Sequence, residues 1–284
     1  MSIGSRAATR QLGQGDLSAV MELLREDPVE RVFVASRVLA TGMEPMFLGC
    51  AMWGHFHGRT LRSMLHAGAN LVPVAADAEA LAEYVELSGP ARMSSSIVGP
   101  AASVLPLWEE LCRRWGRPWQ IAREVRASQP MLAISGETAV PADPRVRPIT
   151  LDDFEPYFDA AVRMYTEEVG VSPIGDGDPG PYRSYVRRLI VSGRAFGIVE
   201  GGRVVFKADL GSVALGVAQV QGVWLDPTLR GRGLSAPAMA AVVDLARGEA
   251  STVSLYVNSF NTAARASYRR VGFRQVGEFA TILF

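Results

Sequence analysis

Residues 222–246, GVWLDPTLRGRGLSAPAMAAVVDLA, run from an apolar strand-like segment through an Asp-Pro turn into Arg-Gly-Arg-Gly and then an alanine-rich helix. Few folds ask for those parts in that order. Leu234, Ala238, Ala241, Val242 and Leu245 recur at helical spacing, so the helix buries one face. A plain turn needs one left-handed glycine, and it has no use for Arg230 and Arg232 at the positive end of a helix dipole. An anion bound there resolves the conflict. A helix N-terminus offers unpaired N–H groups, glycines let a ligand approach the backbone, and arginines neutralise its charge.

GRGLSA also satisfies G-x-G-x-x-A through Gly231, Gly233 and Ala236, the spacing of a dinucleotide fingerprint. The context refuses it. Asp226 to Leu229 separate strand from glycines, and too little chain remains for further βα units. No Gly-Lys-Ser/Thr is present for a Walker loop. With Arg230, Gly233 and Ser235 after a strand and a proline turn, the segment resembles the Gln/Arg-x-x-Gly-x-Gly/Ala signature of the GNAT superfamily of acyl-CoA N-acyltransferases. Serine stands where the pattern has Gly or Ala. The resemblance implies acetyl-CoA as cosubstrate. Arg230, Gly231, Arg232, Gly233, Leu234, Ser235 and Ala236 would take the pyrophosphate. Val223, Trp224 and Leu225 would be the splayed strand that binds the pantetheine arm, with the N–H near Leu225 polarising the thioester carbonyl.

VNSFNTAARASYRRVGF comes after the next strand, and Asn261 and Tyr268 are two helical turns apart, on one helix face. The resemblance implies that Asn261 contacts coenzyme A and that Tyr268 is the general acid protonating the departing thiolate. Positions where relatives place a glutamate base read Trp224 and Tyr256, so the base is unassigned. Glu167 and Glu168, in MYTEEVGVSP, are the candidates for that role, acting through water. The Gly/Pro-rich stretch VSPIGDGDPGPY (171–182) is long enough to shape an acceptor pocket.

The two halves of the chain begin alike. RQLGQGDLSAVMELL and RPITLDDFEPYFDAA each place an aliphatic residue two after an arginine, an aspartate six after it and an apolar residue seven after it. Asp16 and Asp153 fall close to a helix N-cap. Each half then reads β, α, a meander of strands, α, β, α, β, which points to internal duplication. The expected organisation is an N-terminal domain over 1–136, a proline-rich linker over 137–148 and a catalytic domain over 149–284. The fold class is α/β of the mixed α+β kind: two tandem GNAT-like domains, each a mostly antiparallel mixed sheet flanked by helices. The first half lacks the glycine signature, and Asp77 and Glu79 near its corresponding helix start would repel phosphate, so it reads as a degenerate copy. Its HFH places His55 and His57 on one strand face. With no third ligand in view, no metal is expected.

Lys plus Arg equals Asp plus Glu at 29 each, so no basic field exists to hold nucleic acid. Cys50 and Cys112 are isolated, and no window reaches about 18 apolar residues, so the expectation is a cytoplasmic chain with no membrane partner. The expected activity is direct transfer of acetyl from acetyl-CoA to the primary amine of a small molecule or peptide, by a monomer or homodimer. The rival reading is a non-catalytic acyl-CoA sensor.

Overall fold

The computed structural model describes residues 7–175 and 177–284. The chain packs as two compact units that are not contiguous in sequence: Met1–Leu132 with Tyr256–Asn261 and Gln275–Phe284, and Ala133–Leu255 with Thr262–Arg274.

The first unit runs β1 (Ala7–Gln11), α1 (Leu17–Arg25), α2 (Pro28–Thr41), α3 (Pro45–Leu48), β2 (Ala51–His57), β3 (Thr60–Ala67), β4 (Asn70–Val74), α4 (Ala78–Ser88), β5 (Ser96–Pro100), α5 (Ala101–Trp115), α6 (Arg117–Gln120) and β6 (Glu124–Ile134). The remainder of the chain runs β7 (Arg147–Pro148), α7 (Phe154–Val169), α8 (Gly180–Val191), β8 (Ala195–Glu200), β9 (Arg203–Ala214), β10 (Val217–Leu225), α9 (Ser235–Ala246), β11 (Thr252–Tyr256), α10 (Thr262–Val271) and β12 (Arg274–Leu283). Apart from the one-turn helices α3 and α6, both halves show the same order, strand, two helices, three strands, helix, strand, helix, strand. The second helix of each opening pair was not anticipated from sequence.

Pairing repeats the likeness. In the first unit β1 to β4 form an antiparallel meander and β5 joins β4 in parallel. In the second, β7 to β10 are antiparallel and β11 joins β10 in parallel. Glycines at 201 and 202, with φ of 55° and 74°, make the two-residue turn between β8 and β9 that the Gly-Gly pair predicts. The last strand could not be placed from sequence: from Gln275 onward β12 lies in the first unit, antiparallel to β5, with Ala280 opposite Gly99 and Ile282 opposite Ile97. Its Ala280 and Ile282 complete a core with Leu65, Tyr84, Leu107 and Trp119. In the second unit Tyr157, Phe158, Leu189, Ile190 and Trp224 form the core between helices and sheet.

The matched openings share one device. Arg10 donates to both carboxylate oxygens of Asp16 at 2.9 and 2.6 Å, and Arg147 to those of Asp153 at 2.7 and 2.9 Å. Asp16 also accepts from the Gly13 N–H, and Asp153 from that of Thr150. The guanidinium bonds, aided by the backbone donor, lower each carboxyl to about 2. An unfolded aspartate titrates near 3.9, so the stabilisation is fully present above about pH 4 and is lost as pH falls through about 2. Asp16→Asn with Asp153→Asn should lower stability at pH 7 and flatten its decline between pH 4 and 2, measured by urea unfolding across that range.

Candidate active site

The register between β10 and β9 runs Val220 opposite Leu210 and Gln221 opposite Asp209, then resumes with Trp224 opposite Lys207. Gly222 and Val223 therefore form a bulge, which bends the strand and re-aims its last residues. Gly222 has φ of 58°, and a Cβ there would stand 2.9 Å from Asp209 Oδ2 and 3.0 Å from Lys207 Nζ, so glycine alone fits. Beyond the bulge the Asp226 N–H donates to Val205 O at 2.9 Å. Because N–H groups alternate along a strand, that of Leu225 points to the opposite edge. On that edge β10 pairs with β11 over Val217–Gln219 and itself runs on to Leu225.

Asp226 closes the strand by accepting from the Thr228 N–H and hydroxyl, at 2.9 and 2.7 Å, and from Arg203 at 2.8 Å. Pro227–Leu229 make one tight turn. Gly231 and Gly233 come next with φ of 76° and 78°, both exposed, with open space where a Cβ would stand. The α-helix begins at Ser235, because left-handed Gly233 lies outside the α-helical region. Ser235, at the position where the family pattern has Gly or Ala, accepts a 3.0 Å hydrogen bond from the Ser267 hydroxyl of α10. Leu234 is half-buried and Ala236 buried beneath the turn.

The arginines differ. Arg232 is exposed and makes no ion pair or hydrogen bond among the described residues. Arg230 departs from the expectation that both await an external anion, because it donates to Glu167 Oε2 at 2.6 Å and to Leu225 O at 3.1 Å. Glu167 Oε1 accepts from the indole N–H of buried Trp224 at 3.2 Å. Both oxygens of one candidate base are thus engaged in holding the end of α7 against β10. Glu168, the other candidate, places its charge near two tyrosines. It adds to the upward pull of burial on the Tyr268 hydroxyl and contributes to that on Tyr182, so both phenols stay protonated far above the usual range. Tyr268 is buried, its ring against Phe273 with centroids 5.9 Å apart. Asn261 lies in the first unit, exposed and directly before α10, its N–H donating to Asn258 O at 2.9 Å.

Two groups beside the bulge were missed from sequence. Tyr165, Tyr182 and Tyr185 gather where α7 meets α8, with centroids 5.7 and 6.0 Å apart, and Tyr185 accepts a hydrogen bond from Gln221 of β10. Behind Gly222, fully buried Lys207 donates to Asp209 Oδ2 at 2.7 Å and to Gly222 O at 2.9 Å, while Tyr157 donates to Asp209 Oδ1 at 2.6 Å. The spacing of Tyr182 and Tyr185 in PYRSY, one helical turn, was a usable signal for the first group. Nothing local marks the second.

Residues 145–273 match the model of the acetyltransferase (GNAT) family, and residues 50–157 match that of a domain of unknown function (DUF4081). The N-alpha-acetyltransferase RimI of Mycobacterium tuberculosis is 35% identical over 108 residues, which span 37% of this chain and 66% of that protein. A GCN5-related N-acetyltransferase from Sphaerobacter thermophilus shares the fold over 99% of this chain and 96% of its own, with a TM-score of 0.61 at 16% identity. A tandem GNAT protein from the clavulanic acid biosynthesis pathway does so over 97% and 98%, with a TM-score of 0.53 at 13% identity. The likeness of fold extends over both halves of the chain, and residues 145–273, which carry the bulged strand, the glycine turn and α10, form a domain of the acetyltransferase (GNAT) family.

Proposed function

We propose that the second unit transfers the acetyl group of acetyl-CoA to a primary amine by direct attack on the thioester. The observation that carries this reading is the turn at the start of α9, where two left-handed glycines, an arginine with no partner among the described residues and the helix N-terminus converge. In this reading the pyrophosphate lies on residues 230–236 and the pantetheine arm along Val223–Leu225. The Leu225 N–H stabilises the oxyanion of the tetrahedral intermediate, and Tyr268 donates its proton to the leaving thiolate. Glu167 or Glu168 takes a proton from the substrate ammonium through water, and the neutral amine so formed attacks the thioester. The tyrosines beside Gln221 form a wall suited to a cationic amine before it loses its proton. A small-molecule amine or a peptide α-amine fits this chemistry, the latter in keeping with the name of the RimI relative.

The test is acetyl-CoA binding by calorimetry to the whole chain and to Arg232→Ala. Loss of that arginine is expected to weaken binding about 10- to 150-fold, the effect of removing one charge-assisted bond. Unchanged affinity would remove the pyrophosphate from this turn. Arg230→Ala is the less informative variant, because it also releases Glu167.

A further inference from the structure

His55 and His57 were expected to be a surface pair on one strand with no third ligand. The fold supplies one. The first turn of α4 carries Glu79 over β2, and Glu79 Oε2 lies 3.3 Å from His57 Nε2 and 4.0 Å from His55 Nε2. The three candidate ligand atoms all fall within 4.8 Å of one another. An ion pair between His57 and Glu79 explains the shorter contact and leaves the other histidine unexplained. His55 is 1% exposed, and its Nε2 is buried with no hydrogen-bond partner among the described residues. Buried polar nitrogens are normally satisfied, so an orphan pointing at a carboxylate and a second imidazole asks for a ligand.

The other face of His55 fits the same answer. Thr9, directly opposite on β1, lies with Oγ1 2.9 Å from His55 Nδ1. When Nδ1 is protonated and donates to Thr9, Nε2 presents its lone pair toward His57 and Glu79. That arrangement, in which a hydrogen bond to the remote nitrogen fixes tautomer and ring orientation, is the usual support of a metal-bound imidazole.

We propose that His55, His57 and Glu79 bind one divalent ion of the zinc class in the first unit. Two imidazoles and a carboxylate are a borderline donor set that suits zinc and its neighbours rather than magnesium or calcium. Bond lengths near 2.0–2.2 Å place tetrahedral ligand atoms about 3.3–3.6 Å apart. Glu79 Oε2 already stands 3.3 Å from His57 Nε2 and 4.0 Å from His55 Nε2, and the remaining closure falls to the exposed side chains of His57 and Glu79. Three protein ligands leave a fourth position, and the exposure of His57 and Glu79 opens it to solvent. The ion ties β2 to the first turn of α4 in the half of the chain that lacks the glycine turn. The acidic helix start that disfavours phosphate there is the feature that favours a cation.

The experiment uses the full chain without a histidine tag, stripped with chelator and titrated with zinc ion alone by calorimetry. One equivalent should bind, with micromolar or tighter affinity, and the melting temperature should rise with zinc concentration. His57→Gln and Glu79→Gln alter exposed side chains and should each weaken binding by at least 10-fold, and Thr9→Val by about 10- to 100-fold. Histidine ring resonances give a second reading: of the three histidines, His55 and His57 should shift with zinc while His66 stays unchanged. Absence of binding at 100 μM zinc, binding undiminished in both His57→Gln and Glu79→Gln, or shifts confined to His66 would overturn the proposal.

Discussion

Lys207→Met should destabilise the protein by about 3–5 kcal/mol, the cost of breaking a buried ion pair by removing one partner. Lys207 is fully buried, and its ammonium is the donor that joins Asp209 to the carbonyl of Gly222. It also lies 5.1 Å from the centroid of the Tyr157 ring. With methionine there, the Asp209 carboxylate keeps the Tyr157 hydroxyl as its one donor among the described residues, and the bulge carbonyl loses the ammonium. The lost energy is mainly the penalty of an uncompensated carboxylate. Lys207→Met combined with Asp209→Leu should therefore recover much of it. Urea unfolding of both variants checks the pair of outcomes, and a single-variant loss below about 1 kcal/mol would mean that the network contributes little.

Tyr268→Phe should lower kcat by about 10²- to 10⁴-fold, the value of a positioned general acid, while leaving acetyl-CoA affinity within about twofold. Burial first, and then the charge of Glu168, keep the phenol protonated above the ordinary tyrosine range. A proton donor must hold its proton through the working pH, so the wild-type rate should show no loss from Tyr268 ionisation up to about pH 10. The ring occupies the same space in both variants, and packing against Phe273 is kept. Equal loss of binding and turnover would make Tyr268 a packing residue. A non-catalytic sensor has no turnover to lose, so the same variant separates the two readings of this fold.

What the sequence made legible was local. Arg10 with Asp16 and Arg147 with Asp153 each close over six residues, so spacing alone exposed the likeness of the two openings, while the ion pair that each forms was not read from it. Gly201-Gly202 likewise fixed a hairpin through backbone geometry. The glycine turn was legible because two glycines and two arginines at a helix start have few other uses. Longer connections were hidden. Arg230 meets Glu167 across 63 residues, which changed its reading from a free cation to half of an internal pair. Glu79 reaches His57 only because the fold brings the first turn of α4 near the end of β2, and no spacing rule joins them. Lys207 and Asp209 alternate with Phe206 and Ala208, a pattern that reads as polar outside and apolar inside. Both faces of β9 are buried here, so alternation does not locate the charges. The placement of β12 in the first unit, beside β5, is likewise something its own residues do not reveal.

The most direct measurement is release of free thiol when the whole chain meets acetyl-CoA and pools of primary amines, with mass spectrometry of the amines. Acetyl transfer predicts thiol release that depends on both enzyme and amine, equal in amount to an N-acetylated product. Acetyl-CoA that binds but yields no thiol with any amine pool, or that fails to bind at tens of micromolar, would contradict it.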